Sequence, residues 1–375
     1  MRLPVSFTRI TLLCLAGALL AVMPAELTAQ KGQNKGGGKG GGGTDSLAPV
    51  SLGSPADIGC SSTEVYRVSF DGSFAVGMAN GCGPGIYNQP FTYTASSQTL
   101  GLLGDGSGIG SGFDVSETGL AVGWSWLGPA IFDVDTTTAL PLPDGFTPGQ
   151  PNAITDDGLL VAGYACTPNG ASYAFVWFRE GDDWVAEQIE DSASAANAIV
   201  AYGNEYRIVG SADGQAVMWT GEPGGPWTRR DLAPGRSRAA DISADGTVIV
   251  GTHWLPYDTH VAWVEDTHGG WIEQVLKGAD PSFDEGRAFG VGQLADGSIV
   301  AAGFSWQNSA GPGGTKWAVA WRLDSRTATF GAPILLPPVS KKWGAVASDV
   351  SPTGDVFGTA STGNGHLAVK WALPK

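Results

Sequence analysis

Six residues of this chain have types and spacing suited to holding a ligand: Trp126, Trp254 and Trp306, with Tyr257, Asp258 and His260 close to the second of them. Indole and phenol rings offer a large apolar face with a polar edge, which suits stacking on sugars or apolar ligand groups. The competing reading is that the tryptophans cap a core beneath their loops. An acidic stretch, Asp280, Asp284 and Glu285 followed by Arg287, has the oxygen ligands for Ca²⁺ or the carboxylates for acid–base chemistry. A solvated loop is the favoured reading there, and neither a metal nor another cofactor is expected. Cys60 and Cys82 lie eleven residues either side of Asp71. If two strands pair around that turn, the cysteines face each other and form a disulfide in an oxidising compartment. Cys166 reads as a small buried side chain rather than a nucleophile, since no histidine lies within forty residues of it. No H-E-x-x-H, G-x-S-x-G, paired C-x-x-C or EF-hand spacing occurs, so no catalytic residue is assigned.

The elements that must carry these residues are set by a repeat. Seven glycines, Gly77, Gly123, Gly163, Gly210, Gly251, Gly303 and Gly358, recur at intervals of 40 to 55 residues. Periods in that range mark repeat architectures. A turn glycine stands four to seven residues before each, often after aspartate as in Asp71, Asp157, Asp245 and Asp296. Asp-Gly between apolar runs is a hairpin signal. Aromatics recur in the following strand, at Tyr93, Phe132, Trp177, Trp219, Trp263, Trp321 and Trp371. Helix periodicity is nearly absent outside the leader. The pattern predicts an all-β chain, a seven-bladed β-propeller of four-stranded antiparallel blades, over an open solenoid.

The last copy stops after a third strand ending at Trp371. Residues 46 to 53 resemble the fourth strands of other copies, so an N-terminal strand is expected to complete the last blade.

The copies resemble the bacterial extracellular HAF repeats, whose units run "D-I-N, turn G, V-V-G, then H-A-F-x-W". Asp241-Ile242-Ser243 with Val250-Gly251, Asp114-Val115-Ser116 with Val122-Gly123, and Ala174-Phe175-Val176-Trp177 carry the likeness over most of the mature chain. Ala216-Val217-Met218-Trp219 and Ala318-Val319-Ala320-Trp321 keep the alanine and tryptophan but lose histidine and phenylalanine. The resemblance implies export and assigns neither an enzymatic activity nor a ligand.

Residues 1–29 read as a signal peptide: Arg2 and Arg9, an apolar stretch Ile10 to Met23, and small-residue cleavage after Leu27-Thr28-Ala29. That stretch is too short for a spanning anchor, so no integral membrane segment is expected after cleavage. Residues 30–45, almost wholly glycine and lysine, form a flexible linker, and 46–375 form one propeller domain. The chain carries a net charge of −15; residues 1–44 hold five cations and one acid, which leaves −19 on the remainder. That disfavours nucleic acid and anionic membranes as partners. The expectation is a monomeric, exported, non-catalytic binding or scaffold propeller in the periplasm, on the cell surface or secreted. Its ligand would be a glycan or an envelope protein. The alternative is a polysaccharide- or ester-active enzyme using loop carboxylates at the channel mouth.

Overall fold

The computed structural model describes residues 47–83, 88–104, 109–254, 257–279, 285–306, 315–340 and 342–374. Asp280 and Asp284 lie outside them. Seven antiparallel sheets succeed one another along the chain, and each is a blade of one β-propeller. The inner strands of blades one to seven are Ser62–Val68, Gly110–Val115, Thr147–Ile154, Ser194–Tyr202, Ser237–Ile242, Gly286–Gln293 and Ala345–Val350. Five blades have four strands in chain order. In blade six, Thr329–Phe330 and Ile334–Leu336 both pair with the third strand Lys316–Asp324. In blade seven the outer position belongs to Val50–Ser51, which pairs with Lys370 and Val369, and Leu52 donates its N–H to the Ala368 carbonyl at 3.0 Å.

The recurrent aromatics fill the space between neighbouring blades. Trp177, Trp219, Trp263, Trp321 and Trp371 are fully buried, and Tyr93 and Phe132 occupy the same register opposite the second strand. Each side chain of this size removes roughly 150–250 Å² from water. Three of the indoles donate Nε1–H to carbonyls of the segment before their own blade: Trp177 to Pro141, Trp321 to Lys277 and Trp371 to Pro337. Burial of the ring therefore leaves its one polar group satisfied.

The seven anchor glycines have a steric reason. Every inner strand carries a one-residue register shift opposite its anchor, as between Val65 and Arg67 or between Ala239 and Asp241. A β-bulge bends a strand and re-aims its side chains. Here it brings an inner-strand carbonyl against each anchor. A Cβ added at Gly77, Gly123, Gly163, Gly210, Gly251, Gly303 or Gly358 would fall on the carbonyl oxygen of Glu64, Ser111, Gln150, Ala195, Arg238, Arg287 or Val346 respectively.

The repeated Asp-Ile/Val-Ser triplet divides its work. Aspartate ties one blade to the next: Asp114, Asp241 and Asp349 accept the N–H groups of Ile154, Val291 and Val68 at 2.9, 2.8 and 3.0 Å. The apolar residue enters the core, and the serine closes the hairpin. Ser116 and Ser243, and Ser69 in the corresponding Arg67-Val68-Ser69 of blade one, each accept through Oγ the N–H at the start of the second strand. Cys60 and Cys82 are joined in a disulfide that closes the base of the first hairpin. Their register is the one that pairs Ser62 with Asn80, and the bulge at Tyr66 lies between them and the turn. Cys166 is buried.

Candidate functional site: the two mouths of the channel

Because inner strands run in the same direction around the ring, the channel has two unlike ends. The turns between first and second strands surround one end; the connections from second to third strand and the links between blades surround the other. Between them the axis is closed by Arg67. From blade one its guanidinium reaches Asp241 of blade five at 2.7 Å and lies 3.9 Å from Asp349 of blade seven. It also donates to the carbonyls of Ala240 and Phe289 at 3.1 and 3.3 Å. Burial pulls Arg67 down, but Asp241, Asp349 and Asp114 outweigh it and hold it above its ordinary range. Burial raises Asp114 to about 7 and Asp349 to about 8, opposed by Arg67.

On the turn side of this cluster lies a cavity of about 60 Å³, with Asp156 at its rim. Burial, with Glu117, Asp157 and Asp71 adding their charge, raises Asp156 to about 6. The acids of the turns themselves are committed to holding those turns. Asp71 accepts from the Ser73 amide and from both Ser69 and Ser73 hydroxyls. Asp157 accepts from Thr155 and Leu159, and Asp245 from Ser243, Thr247 and Gln293.

The loop mouth is built from side chains that no repeat requires. On the inner strands, level with the anchor glycines, stand the residues whose carbonyls meet them: Glu64, Ser111, Gln150, Ala195, Arg238, Arg287 and Val346. Two clusters arise there. On the blade-one and blade-seven side, Glu64 is buried and accepts the Tyr66 hydroxyl at 3.3 Å; its other oxygen lies 3.9 Å from His366 Nε2. His366 Nδ1 is 3.4 Å from Ser361 Oγ. Burial raises the Glu64 carboxyl, opposed chiefly by His366. Tyr66 stacks on Phe113 with centroids 5.9 Å apart.

On the other side stand three cations. Arg238 donates to Asn197 Oδ1 at 2.7 Å, and Asn197 is fixed by donating to the Ala239 carbonyl at 2.7 Å. Arg287 holds Asp258 through Nε and Nη2 at 2.8 and 2.7 Å. Lys316 lies 4.8 and 5.3 Å from the ring centroids of Phe304 and Trp306. Burial, then Arg287, lowers Arg238 to about 10; the same two causes lower Lys316 to about 8 in spite of Glu64.

The residues expected from sequence to form a ligand face are only partly together. Trp126 and Tyr257 are 61% and 62% exposed on loops at this mouth. Trp254 is half-buried, its ring centroid 5.7 Å from the Arg236 guanidinium. Trp306 is buried edge-on against Phe304, so it packs in the core rather than on an open face. Asp258 is engaged with Arg287. His260 does not join an exposed ligand face: at 0% exposure it packs against Trp321 and contacts the Leu276 carbonyl at 3.0 Å. Strand alternation turns it inward, because Thr259–Glu265 is already the third strand of blade five. Glu285 makes an isolated bridge to Thr259. Sequence reasoning missed Glu64, Gln150, Arg238, Lys316 and His366. Their only sequence signal is position, on the inner strand 12 to 16 residues before an anchor glycine or at the start of a third strand.

No family model matches the chain, and no curated protein matches it. Among solved structures, it is similar to Kuenenia stuttgartiensis hydrazine synthase with a TM-score of 0.54 and 14% identity, over 84% of this chain and 97% of that one. It is also similar to a Mycobacterium tuberculosis puromycin-hydrolyzing peptidase with a TM-score of 0.51 and 12% identity, over 86% of this chain and 54% of that one. Likenesses at this identity show the propeller fold and nothing of the chemistry.

Proposed function

We propose that this chain is an exported, non-catalytic binding propeller of the HAF-repeat kind, which takes its ligand at the loop mouth of the channel. One observation carries the reading: Glu64, Gln150, Arg238, Arg287 and Lys316, from blades one, three, five and six, converge at one end of the axis without serving the repeat. Polar groups gathered on a rigid scaffold beside exposed aromatic loops are the usual makings of a recognition face. The disulfide suits an oxidising compartment. Among the described residues no helix is long and apolar enough to cross a membrane. Screening the mature protein against immobilised glycans and envelope proteins tests the reading. A ligand whose retention falls on Trp126→Ala or Tyr257→Ala is expected, and a blank screen beside measurable turnover overturns it.

A second reading rests on the chain of contacts from Ser361 through His366 to Glu64, which has the residue types of a nucleophile, a base and its orienting carboxylate. It makes the protein an esterase. Covalent labelling by a fluorophosphonate that is lost in Ser361→Ala would support it, and absence of labelling in the folded protein would dismiss it.

A further inference from the structure

We infer that the cationic side of the loop mouth is a carboxylate-recognition site, and that its ligand is an acidic sugar such as a uronate; this rests on the binding reading above. The inference starts from charge. A domain with a large excess of acids would be expected to neutralise its own cations. Yet among the described residues Arg238 and Lys316 form no ion pair; Arg287, itself paired with Asp258, adds a like charge upon both, and Glu64 attracts Lys316 without pairing with it. Like charges held together at partial burial are destabilising unless something else is gained, and an incoming anion supplies the counter-charge that Arg238 lacks.

The geometry is suited to a carboxylate in particular. Arg238 uses one N–H of its fork on Asn197 Oδ1, and Asn197 is itself pinned to the Ala239 carbonyl. The guanidinium plane is thereby oriented before a ligand arrives. A planar fork matches a carboxylate through two parallel hydrogen bonds, whereas an ammonium such as Lys316 serves as a point charge. Beside Arg238 runs a chain of polar groups: the Tyr164 hydroxyl 3.4 Å from Gln150 Oε1, and Gln150 Nε2 donating to Asn152 Oδ1 at 2.7 Å. Tyr164 stays a neutral phenol, its pKa raised by burial. Hydroxyl and amide groups next to an oriented cation can exchange hydrogen bonds with sugar hydroxyls while the carboxylate is held. A peptide C-terminus would use the cation alone and make no hydrogen bonds with those groups, which stay bonded to one another.

The test is calorimetric titration of the mature protein with galacturonate, digalacturonate, galactose, acetyl-dialanine and inorganic phosphate, at low and high salt. The uronates are expected to bind, digalacturonate the tighter, with affinity falling at high salt and galactose silent. Arg238→Ala should weaken uronate binding about tenfold or more, the loss of one charge-assisted hydrogen-bonded pair. Arg238→Lys, which keeps the charge but not the fork, should recover only part, and Lys316→Gln should weaken binding less. Far-ultraviolet circular dichroism checks that each variant is folded. Uronate affinity unchanged in both Arg238 variants overturns the inference, as does acetyl-dialanine or phosphate binding as tightly as digalacturonate. If galactose binds and depends on Trp126, the binding reading stands while this inference falls; if nothing binds and ester turnover appears, both fall.

Discussion

The two ends of the channel are made from the same seven strands, yet one is spent on folding and the other is not. At the turn end the acids have internal tasks: Asp71, Asp157 and Asp245 hold the hairpins that carry them, and Asp114, Asp241 and Asp349 stitch blade to blade. At the loop end Arg238 and Lys316 repel Arg287 and hold no carboxylate among the described residues. Groups that repeat serve the ring, and groups that break the repeat accumulate where the ring does not need them. The contrast therefore predicts that damage near the turn end is read out in stability, and damage at the loop mouth in binding.

The largest effects should come from the structural side. Asp241→Ala leaves Arg67 buried without its nearest partner and the Val291 N–H without an acceptor. A loss of roughly 3–5 kcal/mol in chemical denaturation is expected. Trp263→Ala, which empties a fully buried site between blades, should cost a similar amount, roughly 3–5 kcal/mol by the same measurement. Opening the Cys60–Cys82 bond closes off less, since the loop spans 22 residues; Cys60→Ser with Cys82→Ser should cost about 3 kcal/mol.

A smaller effect concerns pH. Asp114 and Asp349 titrate at about 7 and about 8 in the folded chain, well above a carboxyl in the unfolded one. Across the interval from about pH 4 to those values the native state holds more protons than the unfolded state, so stability is highest at the acidic end and declines as pH rises. Melting temperatures between pH 5 and pH 8 should show that decline, and Asp349→Asn, which mimics the protonated carboxyl, should flatten it. At the far end of the scale, Lys316→Met should leave the melting temperature within a degree or two or raise it, because it removes a repelled, partly buried charge. A loss of several degrees would erase the distinction between the two mouths.

The fold was legible because its determinants repeat in sequence. Anchor glycines and third-strand aromatics recur in all seven copies and the Asp-Ile/Val-Ser triplet in three, each for a steric or hydrogen-bonding reason that the structure shows. The disulfide was legible too, because equal spacing about Asp71 is a statement about hairpin register. The loop mouth was not. It draws one residue from each inner strand, and the bulge in every inner strand resets which side chains face the axis, so a count made along the sequence slips by one. His260 shows the same limit from the other side: near an exposed tyrosine in sequence, it is turned inward by strand alternation.

The anchor glycines have one more consequence. At each, the close approach to the ring is made by the backbone oxygen of a mouth residue, whichever side chain that residue carries. Glutamate, serine, glutamine, alanine, arginine, arginine and valine all occupy the same station in seven successive blades. Positions 64, 111, 150, 195, 238, 287 and 346 are thus a dial that can be reset one click at a time: a library randomised at these sites should keep its scaffold while exchanging one ligand for another.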